Sequence, residues 1–267
     1  MSSDWIADDL ALLIDAAQKA GEIAHSYFGR SPETWYKGKE RSPVSEADMA
    51  SDRFLRDTLL AARPSYGWLS EETLDDPSRL ARERIFIVDP IDGTRGFIGG
   101  KTDWCVSVAI VENGVAVVGA LASPARGNIW WASRGNGAFL NSERLSMAAD
   151  RKPMRPLKLS MPDMLAGKAI EDPGFPVERA PGGPSLALRV ARVASGELGA
   201  VLVRPRSNEW DLAAADVLLS ETGHCIVDEH MERISFNRPD PSHGFLMAAA
   251  KDDVAPLRAC FPDVLGH

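Results

Sequence analysis

A short apolar strand that runs directly into two closely spaced aspartates most constrains what this chain can fold into. The apolar run Ile85–Val88 is followed at once by Asp89-Pro-Ile-Asp-Gly-Thr. Pro90 favours an extended backbone at Asp89 and is expected to end the strand. Gly93 permits a tight turn that brings Asp92 back beside Asp89. In α/β architectures ligands bind at the carboxyl ends of strands, so the sequence predicts a functional carboxylate pair at this edge of a sheet.

The carboxylate pair needs a compensating partner, because two close carboxylates repel each other and take up protons unless a cation is bound. Mg²⁺ prefers oxygen ligands of this kind and fills its remaining positions with water and substrate phosphate. A helix beginning at Thr94 would add free N–H groups that bind anions. Taken alone, the same string is also compatible with a surface turn that carries two solvated aspartates. The other motifs of the chain therefore decide between these interpretations.

Composition excludes several classes of protein. The 267 residues are 45% hydrophobic, which is enough for a large core, and carry 30 Lys and Arg against 38 Asp and Glu. The net charge of -8 and the lack of a basic run argue against a nucleic-acid polymer as partner. Three cysteines without a CxxC pair argue against a disulfide framework. With no signal-peptide pattern and no long apolar run, we expect a cytoplasmic protein without membrane contact.

The periodicity of the first 150 residues predicts an α+β half. Apolar residues at helical spacing indicate a long amphipathic helix that ends near Gly29, and a polar segment around Trp35–Lys39 indicates an exposed strand or hairpin. Ser45 is a candidate cap for a second helix. Apolar runs between residues 85 and 132 then indicate an antiparallel meander, in which Asn113-Gly114 is a strong hairpin signal.

Residues 151–267 are predicted to form an α/β half. The proline-rich segment Arg151–Pro184 is interpreted as a loose connection. After it, strands alternate with helices, which is typical of α/β folds. The predicted elements are a helix over Ser185–Ser195, a strand over Ala200–Val203, a helix over Leu212–Thr222, and strands near Ile226 and over Phe245–Ala249.

Two further acidic strings lie on either side of the Asp89–Thr94 segment in the sequence. Glu71 and Glu72 follow the segment Trp68–Ser70, and Asp211 is expected to occupy the N-cap position of the helix that begins at Leu212. Each string alone has an ordinary structural explanation, because an N-cap aspartate satisfies backbone N–H groups and a Glu-Glu pair is commonly solvated. Their order along the chain carries more information than either string does.

The series of motifs resembles the inositol monophosphatase superfamily of Mg²⁺-dependent, lithium-sensitive phosphomonoesterases. The matching segments are Ser42–Asp48, Ser70–Glu72, Asp89–Thr94 and Glu209–Ala215, in the order that this family shows. The resemblance implies one domain over residues 1–267 with a layered αβαβα sandwich. It also implies a homodimer that hydrolyses a small phosphorylated metabolite with two or three Mg²⁺ ions.

The resemblance further implies a role for each matching residue. The first metal would be held by Glu71, Asp89 and the Ile91 carbonyl, and the second by Asp89, Asp92 and Asp211. Asp48 and Thr94 would be the catalytic residues that orient and deprotonate a water molecule. The substrate-binding residues would be Gly93, Thr94, Gly183, Ser185, Arg204 and Glu209.

The choice of substrate stays open among members of this family. The continuation Asp92-Gly-Thr-Arg-Gly-Phe97 and Glu209 before Trp210 are most similar to 3′(2′),5′-bisphosphate nucleotidases. Arg204 stands about where inositol phosphatases carry a substrate-binding glutamate, and the pair of Arg204 and Arg206 favours a second anionic group on the substrate. Pairing of both arginines with surface acids is an equal alternative. Inositol-1-phosphatase and histidinol-phosphatase activity remain alternatives, as does a non-catalytic regulatory protein with this fold.

Overall fold

The elements of the fold follow the predicted periodicities over most of the chain. The computed structural model describes residues 4–30, 32–37, 42–165 and 175–261. In this part of the chain the helices are α1 (Asp4–Tyr27), α2 (Glu46–Ala62), α3 (Thr94–Ile98), α4 (Leu186–Ser195), α5 (Ala213–Ser220) and α6 (Lys251–Ala259). The strands are β1 (Thr34–Lys37), β2 (Ser42–Ser45), β3 (Gly67–Ser70), β4 (Arg84–Asp92), β5 (Cys105–Glu112), β6 (Val115–Ser123), β7 (Asn128–Ser133), β8 (Gly137–Leu140), β9 (Glu143–Arg144), β10 (Leu157–Ser160), β11 (Val177–Arg179), β12 (Ala200–Val203), β13 (Ser207–Asn208), β14 (His224–Asp228), β15 (Ser242–His243) and β16 (Leu246–Ala250).

The N-terminal elements agree with the sequence. The long first helix and the second helix, with Ser45 as its N-cap, are confirmed. The predicted exposed strand is β1, which pairs antiparallel with β2. Residues 38–41, which connect the two strands, lie outside the described residues.

A seven-stranded sheet contains the predicted meander. Its order is β3-β4-β5-β6-β7-β8-β9, and every pair is antiparallel except β3 with β4. Asn113 and Gly114 both have positive φ, 50° and 80°, as a tight hairpin turn requires. The expected end of the strand at Pro90 is wrong, because β4 continues to Asp92 across a shift in its register with β5. This irregularity lies directly in the Asp89–Asp92 segment.

A second sheet has five strands in the order β11-β10-β12-β16-β14. β10 is parallel to both β11 and β12, whereas β16 is antiparallel to β12 and β14. The prediction of a loose connection over Arg151–Pro184 is therefore wrong for β10 and β11, which hydrogen-bond to each other within this sheet. Residues 166–174 of the same segment lie outside the described residues.

The two sheets and the helices form five layers. Buried side chains of α1 and α2, including Leu13 and Leu55, pack on one face of the seven-stranded sheet. Helices α4 and α5 fill the space between the sheets, where Leu218 joins one apolar cluster with Ile87 and Val201. Helix α6 covers the far face of the five-stranded sheet. The αβαβα sandwich is thus confirmed, whereas the division near residue 150 stays a prediction. No helix among the described residues is long and apolar enough to cross a membrane.

Candidate active site

Asp92 is held at the start of helix α4 by three donors. Its carboxylate accepts hydrogen bonds from the Ser185 hydroxyl at 2.5 Å and from the backbone N–H groups of Leu186 at 3.2 Å and Ala187 at 2.7 Å. The next residue, Gly93, has φ of +98°, and a Cβ there would lie 3.1 Å from the backbone nitrogen of Ser185. A glycine is therefore needed to let the turn approach α4 so closely. These contacts fix Asp92 at the junction of the two halves of the chain.

Asp89, Asp92 and Asp211 form a cluster in which one carboxylate oxygen of each lies within 4.8 Å of the others. Asp89 accepts the Ile91 N–H at 2.9 Å, and Asp211 accepts the Asn208 N–H at 2.9 Å. The expected N-cap position of Asp211 is wrong, because a 3-10 turn over Glu209–Asp211 precedes α5, and Asp211 closes a capping box with Asn208. The sequence could not show this extra turn.

Electrostatic repulsion in the cluster is only partly compensated, because Arg189 lowers the pKa of Asp92 and Arg204 that of Asp211 without outweighing burial. Burial first, and then the neighbouring carboxylates, raise the pKa of Asp89 and of Asp211 well above the usual range. Burial also raises the pKa of Asp92 to about 6, although its three hydrogen bonds oppose the shift. Among the described residues, none of the three aspartates forms a salt bridge with a lysine or arginine.

Asp48 and Thr94 are hydrogen-bonded to each other beside this cluster. The Thr94 hydroxyl lies 3.1 Å from Asp48 Oδ1 and 2.9 Å from the Ile91 carbonyl oxygen. The other oxygen of Asp48 accepts the Ser45 N–H at 2.8 Å and the Ser45 hydroxyl at 2.5 Å, as a capping box of α2. Burial raises the pKa of Asp48 to about 6. The start of α2 thus brings a weakly basic carboxylate to the turn after β4.

Glu71 is paired with a lysine that the sequence did not single out. Lys37 Nζ lies 3.2 Å from the Glu71 carboxylate, 2.7 Å from that of Glu72 and 3.0 Å from the Glu71 carbonyl oxygen. The loop that carries Glu71 is also bound to α2, where Asp52 accepts hydrogen bonds from the hydroxyls of Ser70 and Thr73. Glu71 lies outside the three-aspartate cluster but lines the same cavity.

A cavity of about 1010 Å³ connects these groups. Its lining contains the predicted residues Glu71, Asp89, Asp92, Gly93, Thr94, Gly183, Arg204 and Asp211. It also contains Arg189, on α4, which the sequence analysis missed. Arg189 lies one turn after the start of α4, but Arg192 follows it in the same helix, so its position alone was only a weak signal.

Two predicted substrate-binding residues do not face this cavity. Ser185 is buried, and its hydroxyl is used by Asp92 and as the N-cap acceptor for Leu188. Glu209 is fully buried, and its carboxylate accepts the backbone N–H groups of Asn237 at 2.7 Å and Arg238 at 2.9 Å. Burial raises the pKa of Glu209 to about 7. Both side chains are therefore engaged in hydrogen bonds within the fold, and a substrate contact by either one stays a prediction.

The donor set fits a hard divalent cation. Three carboxylates converge without a protein cation between them, and carboxylate oxygens are the ligands that Mg²⁺ prefers. A cation would also relieve the repulsion that raises the pKa of these groups.

A sequence profile of the inositol monophosphatase family matches residues 6–259 of this chain. The chain belongs to this family. A histidinol-phosphatase of Mycobacterium tuberculosis is 34% identical over 230 residues, which are 81% of this chain and 85% of that protein. The 3′(2′),5′-bisphosphate nucleotidase CysQ of Aggregatibacter actinomycetemcomitans is 28% identical over 250 residues, which are 90% and 92% of the two chains.

The fold agrees with solved structures of the inositol monophosphatase family. A Thermotoga maritima IMPase superimposes with a TM-score of 0.83 at 25% identity, covering 97% of this chain and 98% of that chain. Family membership makes the protein a phosphatase that hydrolyses phosphoric monoesters, and the family is metal-dependent. The acidic cluster lies in the cavity where such chemistry requires a metal.

Proposed function

We propose that this phosphatase hydrolyses a small metabolite that carries a second anionic group, as 3′(2′),5′-bisphosphate nucleotidases do. The observation that carries the proposal is that Arg189 and Arg204 line the same cavity as the carboxylate cluster. Among the described residues neither guanidinium forms a salt bridge, and burial lowers the pKa of Arg189. A guanidinium binds phosphate oxygens in a bidentate manner. A second phosphate on the substrate would therefore meet two guanidinium groups that form no salt bridge among the described residues.

The proposed metal is Mg²⁺, with two or three ions bound. The residues that would hold them are Glu71, Asp89, Asp92, Asp211 and the carbonyl group of Ile91. When bound, Mg²⁺ supplies positive charge to the phosphate and acidifies the attacking water.

The protein's own groups orient that reaction. Asp48 and Thr94 position the attacking water, and Asp48 accepts its proton through the Thr94 hydroxyl. A pKa of about 6 suits this task, because the carboxylate is mostly ionised at neutral pH and still basic. The backbone N–H groups of Gly93 and Thr94, at the start of α3, bind the phosphate, and Gly183 leaves room for the leaving group. Ser185 acts indirectly, because its hydroxyl holds Asp92 in place.

Histidinol phosphate is the second candidate substrate, because the M. tuberculosis relative is a histidinol-phosphatase. Its leaving group carries an ammonium group, which Arg189 and Arg204 in the cavity lining would repel. A bisphosphate is favoured for that reason. Inhibition by lithium, a homodimer and a cytoplasmic location are retained as proposals that follow from the family.

A substrate panel tests the proposal directly. Phosphate release is measured from adenosine 3′,5′-bisphosphate, fructose 1,6-bisphosphate, inositol 1-phosphate and histidinol phosphate, each with Mg²⁺ and with EDTA. We expect turnover only with Mg²⁺ and the highest kcat/KM for a bisphosphate. A preference for a monophosphate contradicts the substrate class. Silence across the panel from a folded protein that binds Mg²⁺ would instead indicate a phosphoester outside the panel or a non-catalytic regulator.

Arginine variants test the second anionic site. Arg204→Ala and Arg189→Ala are expected to raise KM about tenfold for the bisphosphate, since each removes a charge-assisted hydrogen bond, and much less for inositol 1-phosphate. Arg134→Ala is the matched control, because Arg134 pairs with Glu112 at 3.4 Å and does not line the cavity. Equal increases in KM for both substrates would refute the proposal. A lower KM for histidinol phosphate would favour the second candidate.

A further inference from the structure

Glu209 places a buried carboxylate two residues before Asp211 but directs it away from the cavity. The Glu209 carboxylate accepts the backbone N–H groups of two consecutive residues, Asn237 and Arg238. The backbone N–H of Glu209 in turn donates to the Pro241 carbonyl oxygen at 2.9 Å. The 3-10 turn that carries Asp211 is therefore hydrogen-bonded to residues 237–241 through both the backbone and the side chain of Glu209.

Arg79 binds the same segment from the opposite half of the chain. Its buried guanidinium forms a two-point contact with the Asp75 carboxylate, at 2.6 and 2.9 Å. It also donates to the Asn237 side-chain oxygen at 2.8 Å and to the Arg238 carbonyl oxygen at 2.9 Å. Asp75 and Arg79 follow Glu71 closely along the chain, so this contact joins the Glu71 loop to residues 237–238.

Residues 237–243 also contact the loop that carries Arg204. Strand β15 pairs with β13, and the Arg206 N–H donates to the His243 carbonyl oxygen at 2.8 Å. The Arg238 guanidinium holds this strand by donating to the Ser242 carbonyl oxygen at 3.0 Å. Residues 204–211, which include Arg204 and Asp211, thus lie on residues 237–243.

We propose that Glu209 and Arg79 are positioning residues, which hold residues 237–243 so that Asp211 and Arg204 face the cavity. This inference rests on the proposed function for the tasks of Asp211 and Arg204. Its physical basis is that the buried Glu209 carboxylate accepts the Arg238 N–H while the buried Arg79 guanidinium donates to the Arg238 carbonyl oxygen. Groups behind metal ligands fix the geometry of those ligands, and their loss commonly weakens metal binding.

Glu209→Gln is the first variant, because the amide keeps the size of the side chain but turns one acceptor into a donor. One of the two N–H groups then faces an NH₂ group. Glu221→Gln is the matched control, since Glu221 likewise accepts two backbone N–H groups, from Gly135 at 2.8 Å and Gly137 at 2.7 Å, away from the cavity. Arg79→Lys is the second variant, which keeps the charge but cannot bridge Asp75 and the 237–238 segment.

The readouts are Mg²⁺ affinity by titration calorimetry, KM and kcat, and amide hydrogen exchange of the peptide covering residues 204–211. For Glu209→Gln and Arg79→Lys we expect Mg²⁺ affinity about tenfold weaker and faster exchange over 204–211, with neither change in Glu221→Gln. Unchanged exchange over 204–211 in both variants overturns the inference. If the wild-type chain binds no Mg²⁺, the proposed metal site fails, and hydrogen exchange alone then decides the positioning inference.

Discussion

Asp89 and Asp92 differ in how the fold stabilises their charge. Asp92 accepts three hydrogen bonds from the start of α4, whereas Asp89 accepts one, from the Ile91 N–H. Hydrogen bonds to the ionised form oppose the pKa increase that burial causes. The charge on Asp89 is therefore the less stabilised of the two in the absence of a cation. A bound metal ion would therefore lower the energetic cost of ionisation most strongly at Asp89.

Replacing Asp89 by asparagine is expected to abolish Mg²⁺-dependent turnover while raising the stability of the metal-free protein. The amide oxygen can still accept the Ile91 N–H, but a buried, repelled charge is gone. The loss of a metal ligand should lower kcat/KM about 100-fold or more. The measurements are phosphate release with Mg²⁺ and thermal unfolding in EDTA near neutral pH.

The control for this prediction is Asp57→Asn on α2, where the side chain is exposed. It should change neither activity nor unfolding temperature, because an exposed charge away from the cavity contributes little. Mg²⁺-dependent turnover at the wild-type level in Asp89→Asn would remove Asp89 from the set of metal ligands.

Residue types and their order predicted which groups meet, but not where every side chain points. Asp48 and Thr94 lie beside the three aspartates, as the order of the motifs predicted, although the strand end at Pro90 and the helix start after Asp211 were misplaced. The direction of Glu209 depends on Asn237 and Arg238, which are 28 and 29 residues further along the chain. Local sequence contains no signal for such partners, so the direction of the Glu209 side chain could not be predicted from it.

At the scale of elements, helix α5 approaches strand β6 through a glycine. A Cβ built on Gly119 would lie 2.5 Å from the carbonyl oxygen of Ala214 and 2.9 Å from its Cα. Both are backbone atoms of α5, which cannot move without moving the helix. Because α5 follows the turn with Asp211, the same contact also determines how close that turn lies to the seven-stranded sheet.

Gly119→Ala is expected to destabilise the fold by about 1–3 kcal/mol, since overpacking forces backbone shifts. Displacement of α5 should also weaken Mg²⁺ binding through Asp211. Chemical denaturation and calorimetric titration measure the two effects. Gly182→Ala is the control, because a Cβ at Gly182 has open space around it and should change neither quantity. A Gly119→Ala variant with wild-type stability would show that α5 does not pack on β6 as closely as described.

The elements missed from the sequence share a physical reason. Strands β10 and β11 have four and three residues and lie in a proline-rich segment, so the Leu-Lys-Leu-Ser alternation of β10 is too short to predict a strand. Their pairing is stabilised by the sheet, because β10 also pairs with β12. Helix α6 carries Pro256 within it, which disfavours a helix in sequence terms. The meander, in contrast, was predictable from long apolar runs and the Asn113-Gly114 turn.

At the scale of the whole molecule, the carboxylate cluster joins the two halves of the chain. Asp89 and Asp92 belong to β4 of the seven-stranded sheet, whereas Asp211 precedes α5, between the two sheets. A cation bound by all three would add a connection between layers that already meet through apolar packing and the hydrogen bonds of Asp92 to α4. Metal binding should therefore be coupled to the stability of the entire fold, and not only to that of one loop.

Mg²⁺ is expected to raise the unfolding temperature more at about pH 8 than at about pH 5.5. The pKa of Asp92 is raised to about 6, so the stability linked to its protonated form is present at low pH and is lost as pH rises through 6. The raised pKa of Asp89 and of Asp211 acts in the same direction. At high pH Mg²⁺ replaces the missing protons, whereas at low pH it competes with them. Differential scanning calorimetry with Mg²⁺ and with EDTA measures the two shifts.

At a Mg²⁺ concentration of about 100 times its dissociation constant, the shift at the higher pH should be about 5 °C or more. Asp211→Asn serves as the comparison, because it removes one of the three charges from the other half of the chain. That variant should lose most of the Mg²⁺-dependent shift and show a weaker pH dependence in EDTA. If Mg²⁺ raised the unfolding temperature equally at both pH values in the wild-type protein, the buried aspartates would not be its ligands, since binding to them must displace protons.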